Sequence, residues 1–326
     1  MTDEWNNLAR GVLAGDVRSL ARMITRVENR SPGWKEGMKL LVPGCGRARV
    51  VGITGSPGAG KSTLVNAVAL DLVGRGRTVG IIAVDPTSPF SGGALLGDRL
   101  RMAKVAMEPG VFIRSMATRG TLGGLCQGAR DVARVLDAFG KDVILIETVG
   151  VGQDEVEVVK AADMVAVVCV PGQGDGVQAL KAGIMEIADV YVVNKADCPG
   201  AEEVEADIRG MLDLACRPGV PDPPVIRTSA ATGAGVAEFA DLVDGGCVSP
   251  RNRDTWMARR AREEVLSLLS SEILEALTAQ WGNNGRLDRA VAGILARTHD
   301  PYSVVDELLP EARKLFGPGW AEEEEA

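Results

Sequence analysis

Apolar positions in this chain follow two rhythms. Between about residues 47 and 250, short β-branched runs recur at 50–54, 79–84, 111–113, 143–146, 164–170, 190–193 and 225–228. Each run is nearly continuous rather than alternating, as strands are when both faces of a sheet are covered. Helix-like stretches separate them. The alternation predicts an α/β fold, a mostly parallel sheet with helices on both sides. Ligands of such sheets sit at the carboxyl ends of the strands.

Outside that region the period changes to the helical one. Val17, Leu20, Ala21, Ile24 and Val27 share one helix face, and Asp16 stands where a cap belongs. Ser31-Pro32-Gly33 breaks that helix, and Val42-Pro43-Gly44-Cys45-Gly46 reads as a connection. Beyond Pro250, the positions Met257, Ala261, Val265, Leu268, Leu269, Ile273 and Leu277 predict a long amphipathic helix over 254–280. Two shorter helices are predicted at 287–296 and 303–309. The run Glu322-Glu323-Glu324-Glu325 is a solvated end. The expected organisation is an N-terminal helical extension (1–46), a central α/β domain (47–250) and a C-terminal helical arm (251–326).

Composition narrows the class. Of 326 residues 46% are hydrophobic but only 4% aromatic, so the core is built from Val, Ile, Leu and Ala. A formal charge of −8 argues against a nucleic-acid binder that relies on bulk positive charge. Six cysteines lie scattered with no C-x-x-C pair, and His299 is the one histidine, so a zinc site is not expected. The N-terminus lacks the basic and apolar regions of a signal peptide, and no run approaches the ~20 apolar residues of a membrane span. Reduced thiols, no membrane partner and a cytoplasmic location are the expectations.

The chemistry begins at Gly55-Ser56-Pro57-Gly58-Ala59-Gly60-Lys61-Ser62-Thr63. This fits G-x-x-x-x-G-K-[ST], the phosphate-cradling P-loop, and lies between a strand-like and a helix-like run as the motif requires. The glycines turn backbone N–H groups inward on a phosphate. Lys61 reaches the β- and γ-phosphates, and the Ser62 hydroxyl ligates Mg²⁺.

Asn194-Lys195-Ala196-Asp197 follows the run at 190–193 and reads as N-K-x-D. The Asp197 carboxylate supplies the acceptor pair that guanine's N1–H and 2-amino group need. Adenine would leave that carboxylate unpaired, so a site of this kind discriminates by roughly 10⁴ or more. Lys195 would lie along the base, and Asn194 would tie this loop to the P-loop. Thr228-Ser229-Ala230 suits a backbone contact to guanine O6, made by Ser229 and Ala230. GTP is therefore expected over ATP.

Glu147-Thr148-Val149-Gly150 ends another strand in the place of D-x-x-G, with Glu for Asp. Glu147 is expected on the magnesium ion and Gly150 on the γ-phosphate. Asp85 closes a strand and is a further magnesium candidate. Asp98 is another, on a segment suited to switching, although it could equally cap the next helix. Lys61, Asp98 and Glu147 are the expected catalytic residues. Ras-like GTPases carry a water-orienting glutamine beside the D-x-x-G glycine. Here that position is Val151, with Gln153 two residues on, so slow intrinsic hydrolysis is expected.

These segments occur together with A-V-D-P-T-S, S-G-G-A-L-L-G-D-R, G-T-L-G-G and I-E-T-V-G-V-G-Q in one order. The set resembles the MeaB/ArgK-type GTPases, chaperones associated with methylmalonyl-CoA mutase. The resemblance covers about 47–250 and continues more weakly into both helical regions. It implies a P-loop GTPase domain flanked by N- and C-terminal helical extensions. It further implies a homodimer joined through the C-terminal helices. The implied client is an adenosylcobalamin-dependent acyl-CoA mutase, whose cofactor delivery the GTPase gates and which it protects or reactivates. Asp85, Asp98 and Glu147 match the family's magnesium and switch acids, and the loop from Gly172 matches an additional switch. Members commonly carry an acid where this chain has Gly176. Methylmalonyl-CoA, isobutyryl-CoA or another acyl-CoA mutase would all fit. The competing readings are a nickel-delivery metallochaperone GTPase, a transport-associated kinase or ATPase, and a scaffold in which GTP is structural.

Overall fold

A computed structural model describes residues 2–85, 102, 104–117, 124–148, 162–172, 188–215, 221–245 and 253–315. Contacts divide the chain into two compact units, Met1–Asn252 and Arg253–Ala326.

In the first unit, three helices come first: α1 (Thr2–Leu13), α2 (Val17–Glu28) and α3 (Trp34–Leu41). Asp16 caps α2, its carboxylate accepting from the backbone N–H of Arg18 (3.3 Å) and Ser19 (2.9 Å). Trp5 is buried at the centre of the three, and its indole N–H donates to the Pro32 carbonyl at 3.0 Å. A Cβ at Gly37 would come within 2.4 Å of that ring, so only glycine lets α3 pack so closely.

All seven strand runs form strands: β1 (Arg49–Gly55), β2 (Val79–Asp85), β3 (Val111–Ala117), β4 (Val143–Thr148), β5 (Met164–Cys169), β6 (Val190–Val193) and β7 (Val225–Arg227). Among the described residues they make one parallel sheet in the order β3-β2-β4-β1-β5-β6-β7. β3 runs four residues beyond its apolar stretch at 111–113. Its pairing with β2 continues to Ala117, and Arg114, which breaks the apolar pattern, is matched by an ion pair with Glu28 of α2.

Two faces of the sheet are covered, as continuous apolar strands require. On one, Val51, Ile53, Leu145 and Val168 pack against α4 (Lys61–Gly74) and α7 (Val236–Gly245) through Leu64, Val68 and Phe239. On the other, Ile82, Ile144 and Ile146 meet α1, α2 and α5 (Gly124–Phe139) through Trp5, Leu20, Ile24 and Leu136. α6 (Ala201–Ala215) covers β5 and β6, with Ile208 against the cluster of Val167, Tyr191 and Val193. The N-terminal helices thus share a core with the sheet. Cys169 lies in that interior, where burial pushes its thiol up to about 12, as befits a core cysteine.

One feature carries no sequence signal that the motifs describe. Asp142, Asp163 and Asp189 each stand immediately before a strand. The Asp142 carboxylate accepts from the Thr78 N–H and hydroxyl (both 2.8 Å), Asp163 from the Val50 N–H (3.0 Å), and Asp189 from the Val165 N–H (2.9 Å). Each acid fastens the head of its own strand to the head of a neighbour.

The second unit holds α8 (Arg253–Asn283), α9 (Arg286–Leu295) and α10 (Pro301–Leu315). The long helix forms as its spacing predicts, but its apolar positions do not keep to one face. Steps of four residues overshoot a turn by about 40° each, so the stripe winds around the axis. Leu277 is buried, whereas Val265, Leu266, Leu269 and Leu274 are all more than half exposed, the least at 53%. Among the described residues no helix is long and apolar enough to cross a membrane.

Candidate functional site

β1 ends at Gly55 and α4 starts at Lys61, so Ser56, Pro57, Gly58, Ala59 and Gly60 form the loop between them. Two glycines there are obligatory on geometric grounds. A Cβ on Gly55 would lie 2.2 Å from the Val168 carbonyl oxygen. Gly60 has a φ of 82°, and a Cβ there would lie 2.7 Å from the Asn194 side-chain nitrogen. The N-terminus of α4 has neither a side-chain cap nor an acid in its first turn. The positive end of its dipole therefore meets the loop and favours an anion.

Lys61 is buried at the start of α4. Its ammonium group donates to the carbonyls of Gly55 (2.7 Å) and Ser56 (3.1 Å). A phosphate would offer the same amine charged oxygens, which make stronger hydrogen bonds than carbonyls do. Thr63, two residues on, is exposed.

In the first turn of α4, the Ser62 hydroxyl donates to Glu147 Oε1 at 2.5 Å. Glu147 is buried near the end of β4. A hydroxyl and a carboxylate so placed are hard oxygen donors beside the phosphate loop. Mg²⁺ takes one or two such protein ligands and completes its shell with water and phosphate oxygens. The residues present therefore fit this ion. Among the described residues no group of three His, Cys, Asp or Glu could hold a metal alone.

The base-reading end lies after β6 and β7. Asn194 is buried and ties three segments together. Its Nδ2 donates to the Ala59 carbonyl (2.8 Å), and its Oδ1 accepts from the Thr228 hydroxyl and the Ala230 N–H (both 3.2 Å). The Ala230 N–H, expected on guanine O6, is thus directed at Asn194 here. Lys195 adopts a φ of 57°, and its amine donates to the Gly58 carbonyl at 2.9 Å. The Asp197 carboxylate is exposed and available to a base. The Ser229 hydroxyl hydrogen-bonded to it, its own backbone N–H and the Lys195 charge hold it below the usual aspartate range. Ser229 is itself fixed, since its oxygen accepts from the Thr232 N–H at 3.3 Å.

The sequence motifs therefore converge: P-loop, Glu147 and the Asn194–Asp197 loop meet at one edge of the sheet. Of Asp85 the backbone alone is described, as the last residue of β2. Asp98, Gly150, Val151, Gln153 and Gly176 lie outside the described residues. Sequence reasoning did not single out Thr54 or Thr148 as a pair. Both are buried threonines, and the Thr148 hydroxyl donates to Thr54 Oγ1 at 3.2 Å. Nothing in the sequence pairs them, because their adjacency follows from the register of β1 and β4.

Such a site holds a purine nucleoside triphosphate by base and phosphates at once. Phosphoryl transfer to water asks for position and charge stabilisation more than covalent help, and the arrangement supplies both. Residues 20–283 match the family described as methylmalonyl Co-A mutase-associated GTPase MeaB. The chain belongs to the MeaB family.

Relatives of this MeaB-family chain agree. A Pyrococcus abyssi protein named as a GTPase is 44% identical, over 95% of this chain and 96% of its own length. The GTPase ArgK of Escherichia coli K12 is 36% identical, over 80% of this chain and 84% of its own. The crystal structure of a LAO/AO transport system kinase superposes with a TM-score of 0.68 at 27% identity, covering 96% of this chain and 99% of that one. The MeaB-family chain is a GTPase, and GTP and GDP are its nucleotides.

Proposed function

We propose that this GTPase is a chaperone for an adenosylcobalamin-dependent acyl-CoA mutase, gating delivery of the cofactor and protecting or reactivating the enzyme. The match over residues 20–283 to a family described by its association with methylmalonyl Co-A mutase carries this reading. In it, Gly55 to Thr63 cradle the phosphates and Lys61 neutralises the charge developing on them. Ser62 and Glu147 hold Mg²⁺, with Asp85 and Asp98 as further acids and Gly150 on the γ-phosphate. Asp197 reads guanine, Lys195 lies along the base, and Asn194, Ser229 and Ala230 hold the reading loop.

Val151 occupies the position of the water-orienting glutamine, so intrinsic hydrolysis is slow and the client accelerates it. The exposed leucines of α8 support a homodimer made through the C-terminal helices. The guanine motif disfavours a transport ATPase, and one histidine without paired cysteines disfavours nickel delivery.

The test is a pull-down of acyl-CoA mutases with the GTP-loaded and GDP-loaded protein, followed by GTPase assays with the captured enzyme. A mutase should bind in a nucleotide-dependent way and raise the hydrolysis rate at least about tenfold, which corresponds to about 1.4 kcal/mol of the barrier. If no cobalamin enzyme binds or changes the rate, the chaperone reading fails.

A further inference from the structure

The backbone register of β1 and β4 runs from Arg49 opposite Val143 to Ile53 opposite Glu147. Both strands then part company. β1 ends at Gly55, where the phosphate loop begins, and β4 ends at Thr148. One step beyond the last paired residues, the side chains continue the pairing. The Thr148 hydroxyl donates to Thr54 Oγ1 at 3.2 Å, with the Ile53 carbonyl a longer acceptor at 3.5 Å. Thr54 is fully buried and Thr148 2% exposed.

Strand alternation puts Glu147 on one face with Leu145, toward α4 and Ser62. Thr148 takes the other face, the one on which Ile144 and Ile146 pack. Burying hydroxyls is unfavourable unless they are hydrogen-bonded, and these two bond each other. For core packing alone, valine would serve as well, since it has nearly the same shape and no polar group.

We infer that Thr54 and Thr148 are a positioning pair for the nucleotide reaction. Their hydroxyl bond holds the end of β4 in register with the start of the phosphate loop. It thereby fixes the distance between the Glu147 carboxylate and the Ser62 hydroxyl. In this reading neither threonine is a ligand of the nucleotide or the metal. They act through Glu147, so the inference rests on the proposal that Ser62 and Glu147 hold Mg²⁺.

The test follows release of the fluorescent nucleotide mant-GDP in Mg²⁺ and in EDTA, with steady-state GTP hydrolysis alongside. Thr148→Val should speed release in Mg²⁺ by about five- to tenfold, the worth of one buried hydrogen bond. In EDTA it should change release less than about twofold, because no ion remains to be misplaced. The kcat should fall by about the same five- to tenfold with KM for GTP unchanged, and Thr148→Ser should restore both. Thr54→Val reports on the same bond if Thr148→Val does not fold. Release at the wild-type rate in Mg²⁺ would overturn the inference. Equal acceleration in Mg²⁺ and EDTA would do so too, since it marks a merely structural role. Glu147→Gln is the control. If it leaves the Mg²⁺ effect on release intact, the metal assignment fails and the threonine pair has nothing to position.

Discussion

The Asn194 side-chain nitrogen lies 2.8 Å from the carbonyl oxygen of Ala59, so the loop after β6 is fastened to the loop between β1 and α4. The same amide accepts from Thr228 and Ala230, and it is buried. Asn194→Ala would orphan several buried partners at once. It should lower stability by about 2 kcal/mol and weaken GDP binding by about 100-fold. Urea denaturation and a GDP titration measure the two effects. Wild-type affinity in the variant would show that the two loops hold their places independently.

Asp197 presents an exposed carboxylate backed by Ser229. Replacing it by asparagine puts an amide donor where guanine offers its 2-amino group. Asp197→Asn should lose GTP affinity by about 10³-fold or more and gain affinity for xanthosine triphosphate. Competition binding with the two nucleotides decides the matter, and an unchanged GTP preference would place base recognition elsewhere.

Ser62 and Glu147 share a 2.5 Å hydrogen bond beside the phosphate loop. Ser62→Ala should reduce kcat by about 100-fold, and EDTA should cost the wild type a comparable factor. Added to the variant, EDTA should do little more. A large, undiminished EDTA effect in Ser62→Ala would remove this hydroxyl from the metal shell.

Val265, Leu266, Leu269 and Leu274 leave apolar surface on α8. Leu266→Glu combined with Leu269→Glu should convert a dimer into a monomer in light scattering, with nucleotide affinity unchanged. A wild-type protein that is already monomeric at micromolar concentration would show that these leucines serve another purpose.

Asp142 is held below the ordinary aspartate value of 3.8. Partial burial opposes ionisation, but the Thr78 N–H and hydroxyl and the charges of Arg77 and Lys141 outweigh it. Its contribution to stability is therefore present above 3.8 and is lost as pH falls through the lower folded value. Asp142→Asn should be less stable than wild type at pH 6 by only about 0.5 kcal/mol, since solvent screens this exposed carboxylate. The gap should close toward pH 2 in urea melts. A difference that does not vary with pH would mean that the charge is not what matters.

Much of this architecture could be read from the chain because its signals are local. Seven runs such as that at 143–146 are too short for helices and too continuous for a half-exposed sheet. Gly60 and Lys61 carry a motif because their chemistry depends on sequence neighbours. Arg114 shows where that legibility ends. A charge within a strand reads as a boundary until Glu28, far away in sequence, is brought beside it. The winding stripe of α8 was hidden for another reason: the spacing specifies helix, whereas exposure depends on what the rest of the chain covers. Thr54 and Thr148 are visible as a pair only once the register of β1 and β4 is known.

The aspartates that fasten the strand heads give the sheet two unlike rims. Asp142, Asp163 and Asp189 bind neighbouring strands at the rim away from the nucleotide. At the opposite rim the strands run out into the loops that meet the ligand. That rim is tied as well, but by side chains of the loops and strand ends, Thr148 to Thr54 and Asn194 to Ala59, rather than at the strand heads. The three carboxylates thus mark the rim that is fastened strand to strand, opposite the rim that carries the loops.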